Sequence, residues 1–172
     1  MWGFGVKFIP KTQNLKLASC IVTFMGIRRF RADDADIVSH IIRRCLLEVN
    51  IKDYPKEVIE SMYDHFSPKN LVEISERRHM YVFVQDNEIR GTGNLRDNNV
   101  RSVFVNPDFH NLGIGRELMK HLEKSVKRSG YRTIELFSSV TAFEFYKKLG
   151  YKRIRTVQDK DTGKSILMRK ML

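Results

Sequence analysis

Val103-Phe104-Val105-Asn106-Pro107-Asp108-Phe109-His110-Asn111-Leu112-Gly113-Ile114-Gly115-Arg116 is the stretch on which the reading of this chain turns. A run of β-formers ends at Pro107, which has no N–H to give to a ladder. Two close glycines then open a helical pattern. Ile114, Leu118, Leu122 and Val126 recur every four residues and predict the buried face of a helix over about Leu112 to Ser129. Lys124, Lys127 and Arg128 suit the negative end of its dipole, and Gly130 is placed as its stop. The first N–H groups of such a helix have no internal partner and attract anions. Gly113 and Gly115 let a pyrophosphate approach the backbone, and Arg116 adds formal charge. The GxxxxGK[ST] loop is absent, and Leu118 stands where GxGxxG needs its third glycine. By itself the turn reads equally well as a phosphate cradle or as a tight packing turn.

Working outward, Met80 to Gln85, Ile89 to Leu95 and Val100 to Val105 predict a three-strand meander joined by Asp86-Asn87-Glu88 and Asp97-Asn98-Asn99. Upstream, Gly26 to Arg31 alternates as a short strand. Asp33 or Asp34 is placed to cap a helix carrying Ile37, Ile41, Leu46 and Val49. A second helix starts near Pro55, Ser67-Pro68 breaks it, and a shorter helical piece spans Leu71 to Glu76. Downstream come a strand over Thr133 to Phe137 and a helix over Thr141 to Leu149, with Thr141 and Glu144 at capping-box spacing. Two strands, Tyr151 to Val157 and Ser165 to Met171, close the chain. The order predicts a single α/β (α+β) domain, a mixed sheet of about six to seven strands flanked by helices.

The chain has 172 residues, enough for one core. Its 31 Lys and Arg against 20 Asp and Glu give a formal charge of +11, but in scattered pairs such as Arg43-Arg44 and Arg77-Arg78. Charge in that pattern attracts polyanions without defining a nucleic-acid interface. Cys20 and Cys45 have no metal-ligand spacing, so no metal is expected, and a reducing cytoplasm fits them. No run reaches the roughly 18 apolar residues of a membrane helix, so no membrane partner is expected. Residues 1–24 show no clear period, and the orderly pattern begins at Met25. They are read as an extension outside a domain over 25–172. Leu15, Leu17, Ile21, Val22 and Phe24 could pack on the domain or on a second copy, which leaves a homodimer open.

Two blocks together are more specific than either alone. Val105-Asn106-Pro107 followed by His110-Asn111-Leu112-Gly113-Ile114-Gly115 resembles the V-x-P and Gln/Arg-x-x-Gly-x-Gly/Ala turn of the GNAT acetyltransferase superfamily. Ser139-Val140-Thr141-Ala142-Phe143-Glu144-Phe145-Tyr146-Lys147-Lys148-Leu149-Gly150-Tyr151 is similar to the family's N-x-x-A-x-x-F-Y-x-x-x-G-F block. His110 stands where the family has Gln or Arg and keeps a donor for phosphate. Ser139 stands for Asn and keeps a hydroxyl.

The resemblance implies an N-acetyltransferase with acetyl-coenzyme A as co-substrate. An amine, on a small molecule or a protein, would attack the thioester directly in a ternary complex. It assigns cofactor contacts to Val103, Phe104 and Val105, to the loop His110, Asn111, Leu112, Gly113, Ile114, Gly115 and Arg116, and to Ser139. An N–H near Val105 would support the oxyanion, and Tyr146 would protonate the departing thiolate. Read from its neighbours alone, Tyr146 is equally a core residue beside Phe145. No carboxylate stands on the strand Asn99 to Val105, and His65, Glu73 and Asp97 qualify as bases only by residue type. Asp53-Tyr54-Pro55 falls between the first helices, where the resemblance puts the acceptor pocket, and from the residues alone it reads as a loop or helix start. Two alternatives are a non-catalytic acyl-CoA sensor and a basic nucleic-acid or ribosome-associated module, whose binding would be strongly salt-dependent.

Overall fold

A computed structural model describes residues 25–159 and 163–172. The expected extension over 1–24 lies outside the described residues, as does part of the turn between the last two strands. In chain order the strands are β1 (Met25–Arg29), β2 (His79–Gln85), β3 (Glu88–Arg96), β4 (Asn99–Val105), β5 (Thr133–Ser138), β6 (Lys152–Asp159) and β7 (Gly163–Met171). The helices are α1 (Ala35–Glu48), α2 (Lys56–His65), α3 (Pro68–Arg77), α4 (Ile114–Arg128) and α5 (Phe143–Lys148). The strands form one seven-stranded sheet in the order β1-β2-β3-β4-β5-β7-β6. All pairs are antiparallel except β4 with β5. A mixed sheet of six to seven strands is therefore what the chain builds.

Strand alternation divides the core between the two sheet faces. Met80, Val82 and Val84 of β2 pack with Val38, Ile41 and Leu46 of α1 and with Ile59 and Leu71 of α2 and α3. On the other face Leu122 and Val126 of α4 meet Ile134, Leu136 and Met168. Helix α4 approaches closely because β3 presents glycines to it. A Cβ on Gly91 would lie 3.1 Å from Leu118 Cδ1, and one on Gly93 would lie 3.1 Å from Leu122 Cδ1.

Two capping expectations are corrected. Asp34 does precede α1, but its carboxylate accepts from the Arg28 guanidinium at 2.7 and 2.8 Å and from Arg31 N–H at 2.8 Å, so it does not cap the helix. The last short helix begins at Phe143 rather than Thr141. Thr141 gives both its N–H and its hydroxyl to Asp53, at 2.9 and 2.8 Å, and a carboxylate taking two donors outcompetes a capping box. Helix α3 is also longer than expected, because Ser67 caps it by accepting from Asn70 N–H and Pro68 occupies its first turn.

Candidate functional site

Strands β4 and β5 pair at only two positions, Asn99 with Glu135 and Val100 with Leu136. Beyond them the strands diverge, and the splay opens a cleft of about 630 Å³. Both faces of β4 line it, together with the end of α1, the α1–α2 loop, the start of α4 and α5.

Register decides which backbone groups look into that cleft. Asn106 N–H donates to Arg90 C=O at 2.9 Å. Antiparallel alternation then makes Val105 and Gly91 a non-hydrogen-bonded pair, so Val105 turns its own N–H and C=O away from β3. Val103, two residues earlier, does the same. Phe104 between them bonds to β3, and its side chain goes to the α1–α3 face, packing edge-on against Phe66 at 5.7 Å. The Val105 carbonyl is held by two donors, the Cys45 thiol at 3.1 Å and His110 Nε2 at 2.8 Å. The Val103 and Val105 N–H groups face the open splay.

The loop after β4 is shaped for anions. Asn111 (φ 63°) and Gly113 (φ 85°) both take left-handed backbone, a conformation that gathers successive N–H groups into a concavity. Gly113 is the N-cap of α4 and no side chain caps it. The first N–H groups of α4 are thus left for a ligand. Gly113 is needed for its φ alone, since a Cβ there would meet nothing within 4 Å. Gly115 is needed for space, because a Cβ would lie 3.2 Å from the Phe145 ring. Ile114 is buried against Phe83 and Leu118, and Arg116 lines the cleft. Leu112, expected among the cofactor contacts, is 67% exposed and is not among the residues lining the cleft. His110 lines the cleft, but its Nε2 proton is committed to Val105, which leaves Nδ1 as the free ring nitrogen.

Arg44 anchors this loop from α1, a residue that the sequence reading did not single out. Its guanidinium donates to Asn106 Oδ1 at 3.0 Å, to Asp108 at 2.7 and 3.0 Å, and to Glu48 of its own helix. Across the cleft the Asp53–Thr141 bonds join the α1–α2 loop to the β5–α5 connection. Ser139 lines the cleft, and its hydroxyl accepts from Ala142 N–H at 3.2 Å, which steadies the entry to α5.

Tyr146 is both a core residue and a cleft residue. It is 7% exposed, packs edge-on with Phe145 and Tyr151, and lines the cleft. Among the described residues no hydrogen-bond partner is found for its hydroxyl. Burial pushes its phenol well above the ordinary range, so it stays protonated. Neighbouring Tyr151, by contrast, donates to Glu123 at 3.0 Å.

The side of the cleft under α1 and α2 is apolar and aromatic, walled by Cys45, Val49, Tyr54, Met62 and Phe104. Burial pushes the Cys45 thiol up to about 12, which keeps it a neutral hydrogen-bond donor and a poor nucleophile. Burial, then Asp53, pushes Tyr54 up to about 12. Among the described residues no Asp or Glu lines the cleft, and its charged side chains are Arg101, Arg116 and Lys148. Of the three bases considered from residue type, His65, Glu73 and Asp97, none lines it. Among the described residues there is no group of His, Cys, Asp or Glu suited to a metal, and no helix long and apolar enough to cross a membrane.

Comparison with known proteins gives the class to which this architecture belongs. Residues 50–172 match the Acetyltransferase (GNAT) domain, and the chain belongs to that family. An uncharacterized N-acetyltransferase of Porphyra purpurea is 39% identical over 49 residues, 28% of this chain and 28% of that one. The matched stretch thus spans little more than a quarter of that curated relative. The fold is shared with solved structures at lower identity. A GCN5-related N-acetyltransferase from Rhodopseudomonas palustris aligns with TM-score 0.79 and 20% identity, over 86% of this chain and 96% of that one. The PaiA N-acetyltransferase from Thermoplasma acidophilum, solved in complex with coenzyme A, aligns with TM-score 0.74 and 20% identity, over 87% and 99%.

Proposed function

We propose that this chain is an acetyl-CoA-dependent N-acetyltransferase that moves the acetyl group to a primary amine by direct attack. The observation that carries the reading is the splay beside β4. Its two inward N–H groups open onto a loop whose glycines bare the start of α4. The pyrophosphate would sit on the N–H groups of Gly113 to Gly115, with Arg116 beside it. The pantetheine arm would lie along Val103 and Val105 as an added strand does. An inward N–H of β4 would take the oxyanion. Membership of the family and the coenzyme A held by the Thermoplasma relative support this assignment.

In the reaction the amine lone pair attacks the thioester carbon. The tetrahedral adduct collapses, the C–S bond breaks, and the thiolate takes a proton from Tyr146. The amine gives its own proton to water, and water returns one to the Tyr146 phenolate. No carboxylate base is invoked, because Arg101 and Lys148, the charged lining residues not given to the pyrophosphate, would disfavour an ammonium beside them and so favour the neutral amine. Their field also disfavours polycationic acceptors.

A pH profile tests this chemistry. With acetyl-CoA saturating, amine-dependent thiol release should rise tenfold per pH unit until the acceptor's own pKa is passed. No plateau from an enzyme base is expected near pH 6–7. Because burial raises the Tyr146 pKa, the proton it donates is still present above the ordinary phenol range, and no falling limb should appear below about pH 10. A bell with an acid limb fixed near 6, whatever the amine, would contradict the field-driven account.

The loop anchor gives a second test. Arg44→Met removes the tie between α1 and the Asn106–Asp108 turn and should weaken acetyl-CoA binding by about tenfold, while the acceptor KM moves little. Isothermal titration with coenzyme A measures it, and an unchanged Kd would remove Arg44 from the account.

A further inference from the structure

An arginine cluster adjoins the acceptor side of the cleft, and the acetyl-transfer chemistry draws on only one of its members, the charge of Arg101. Met80 packs under α1–α3, so Arg78, two residues earlier on the same chain, turns to that face. Asn94 pairs with Met80 on one side and Ser102 on the other, and Arg96 follows it by two. The β3–β4 register slips between Asn94 and Leu95, which leaves Arg101 as the extra residue of a bulge beside Ser102. Three neighbouring strands thus bring Arg78, Arg96 and Arg101 to one end of one face.

The cluster has little counter-charge. Arg96 approaches Asp97 only at 4.0 Å, and among the described residues neither Arg78 nor Arg101 has an acidic partner. Arg78 is half-buried and held below its ordinary range by burial, then by Arg101 and Arg96. His65 is pushed down by burial and then by Arg78, and an imidazole supplies no negative counter-charge. Arg101 and Ser102 line the same cleft as the apolar Tyr54, Met62 and Phe104. Asn94, 3% exposed beside Ser102, keeps a buried side-chain oxygen without a partner among the described residues.

We propose that the acceptor is a small amine carrying a carboxylate, an apolar α-amino acid, whose carboxylate is held by Arg101 and Ser102 with Arg78 behind them and whose side chain fills the apolar chamber. Unpaired guanidinium groups in a cleft with apolar walls match a ligand that is anionic at one end and apolar at the other. An α-amino acid also places its carboxylate beside the reacting nitrogen. In the fold the bulged Arg101 lies likewise two residues from Val103, whose N–H faces the splay. This assignment rests on the acetyl-transfer reading above and narrows it.

The experiment compares L-phenylalanine with phenethylamine, which differ by the carboxylate alone, as acceptors of the full chain with saturating acetyl-CoA. Rates are expressed per unprotonated amine. The expected result is a kcat/KM at least about tenfold higher for phenylalanine, as one charge-assisted contact would give. Arg101→Gln should bring the ratio close to one, and Arg78→Gln should lower it part of the way. Equal use of the two amines by the unaltered protein would overturn the proposal without touching acetyl transfer. So would a ratio unchanged in Arg101→Gln, or spermidine as the best acceptor. If acetyl-CoA raises the melting temperature but no amine is acetylated, the acetyl-transfer reading fails and the proposal falls with it.

Discussion

The Tyr146→Phe protein is expected to transfer acetyl about a hundredfold more slowly than the unaltered chain, with coenzyme A affinity and melting temperature essentially unchanged. The size follows from general acid catalysis, where a positioned proton donor contributes about 10²–10⁴-fold. The specificity of the test follows from the structure. The ring packs between Phe145 and Tyr151 and is kept by the substitution. The hydroxyl has no partner among the described residues, so its removal breaks no hydrogen bond among them. A purely structural tyrosine would therefore leave the rate alone. Stopped-flow thiol release under saturating acetyl-CoA and amine separates kcat from KM. A full rate in the phenylalanine variant at every pH would assign the proton to water or to another group.

The second large effect is at the anion loop. Gly113→Leu should abolish the rise in melting temperature that acetyl-CoA produces. That rise is about 5–10 °C at a hundredfold excess over Kd for a chain of this size. Leucine is disfavoured at φ 85° by roughly 1–2 kcal/mol. It relieves the strain by rotating the backbone, which turns the N–H groups of Ile114 and Gly115 out of the concavity. A Cβ there meets nothing within 4 Å, so the fold itself should survive. Gly130 is the matched control. It sits just past the other end of α4 with φ 88° and equally open space. Gly130→Leu carries the same strain, and there the acetyl-CoA shift should persist. Loss of the shift in both variants, or in neither, would place the phosphate site elsewhere.

These tests draw on both legible and hidden parts of the sequence. The strand, proline, glycine pair and four-residue apolar repeat over residues 103–126 encode β4, its loop and α4 locally, so boundaries there fall within a residue or two. The start of the helix before β6 is not legible locally, because it depends on Asp53, 88 residues from Thr141 in the chain, taking both donors of that threonine. Arg44 was invisible for a similar reason. Its partners Asn106 and Asp108 lie 62 and 64 residues away, and nothing in the α1 pattern marks it. The direction of the Val103 and Val105 N–H groups is set by register against β3, which composition does not encode. Leu112 belongs to the loop by its position in the motif, and its exposure and absence from the cleft lining show only in the fold. The arginines at 78, 96 and 101 look like scattered surface charge until three strands align them.

Rapid-quench single turnover followed by mass spectrometry of both protein and amine tests the central claim most directly. Direct transfer predicts that the acetyl group appears on the amine in step with release of the coenzyme A thiol. The protein should never carry an acetyl, because the Cys45 thiol, the nucleophile of the chamber wall, is held neutral by burial. Acetyl accumulating on the protein before it reaches the amine, or thiol released with no acetylated amine formed, would contradict the account.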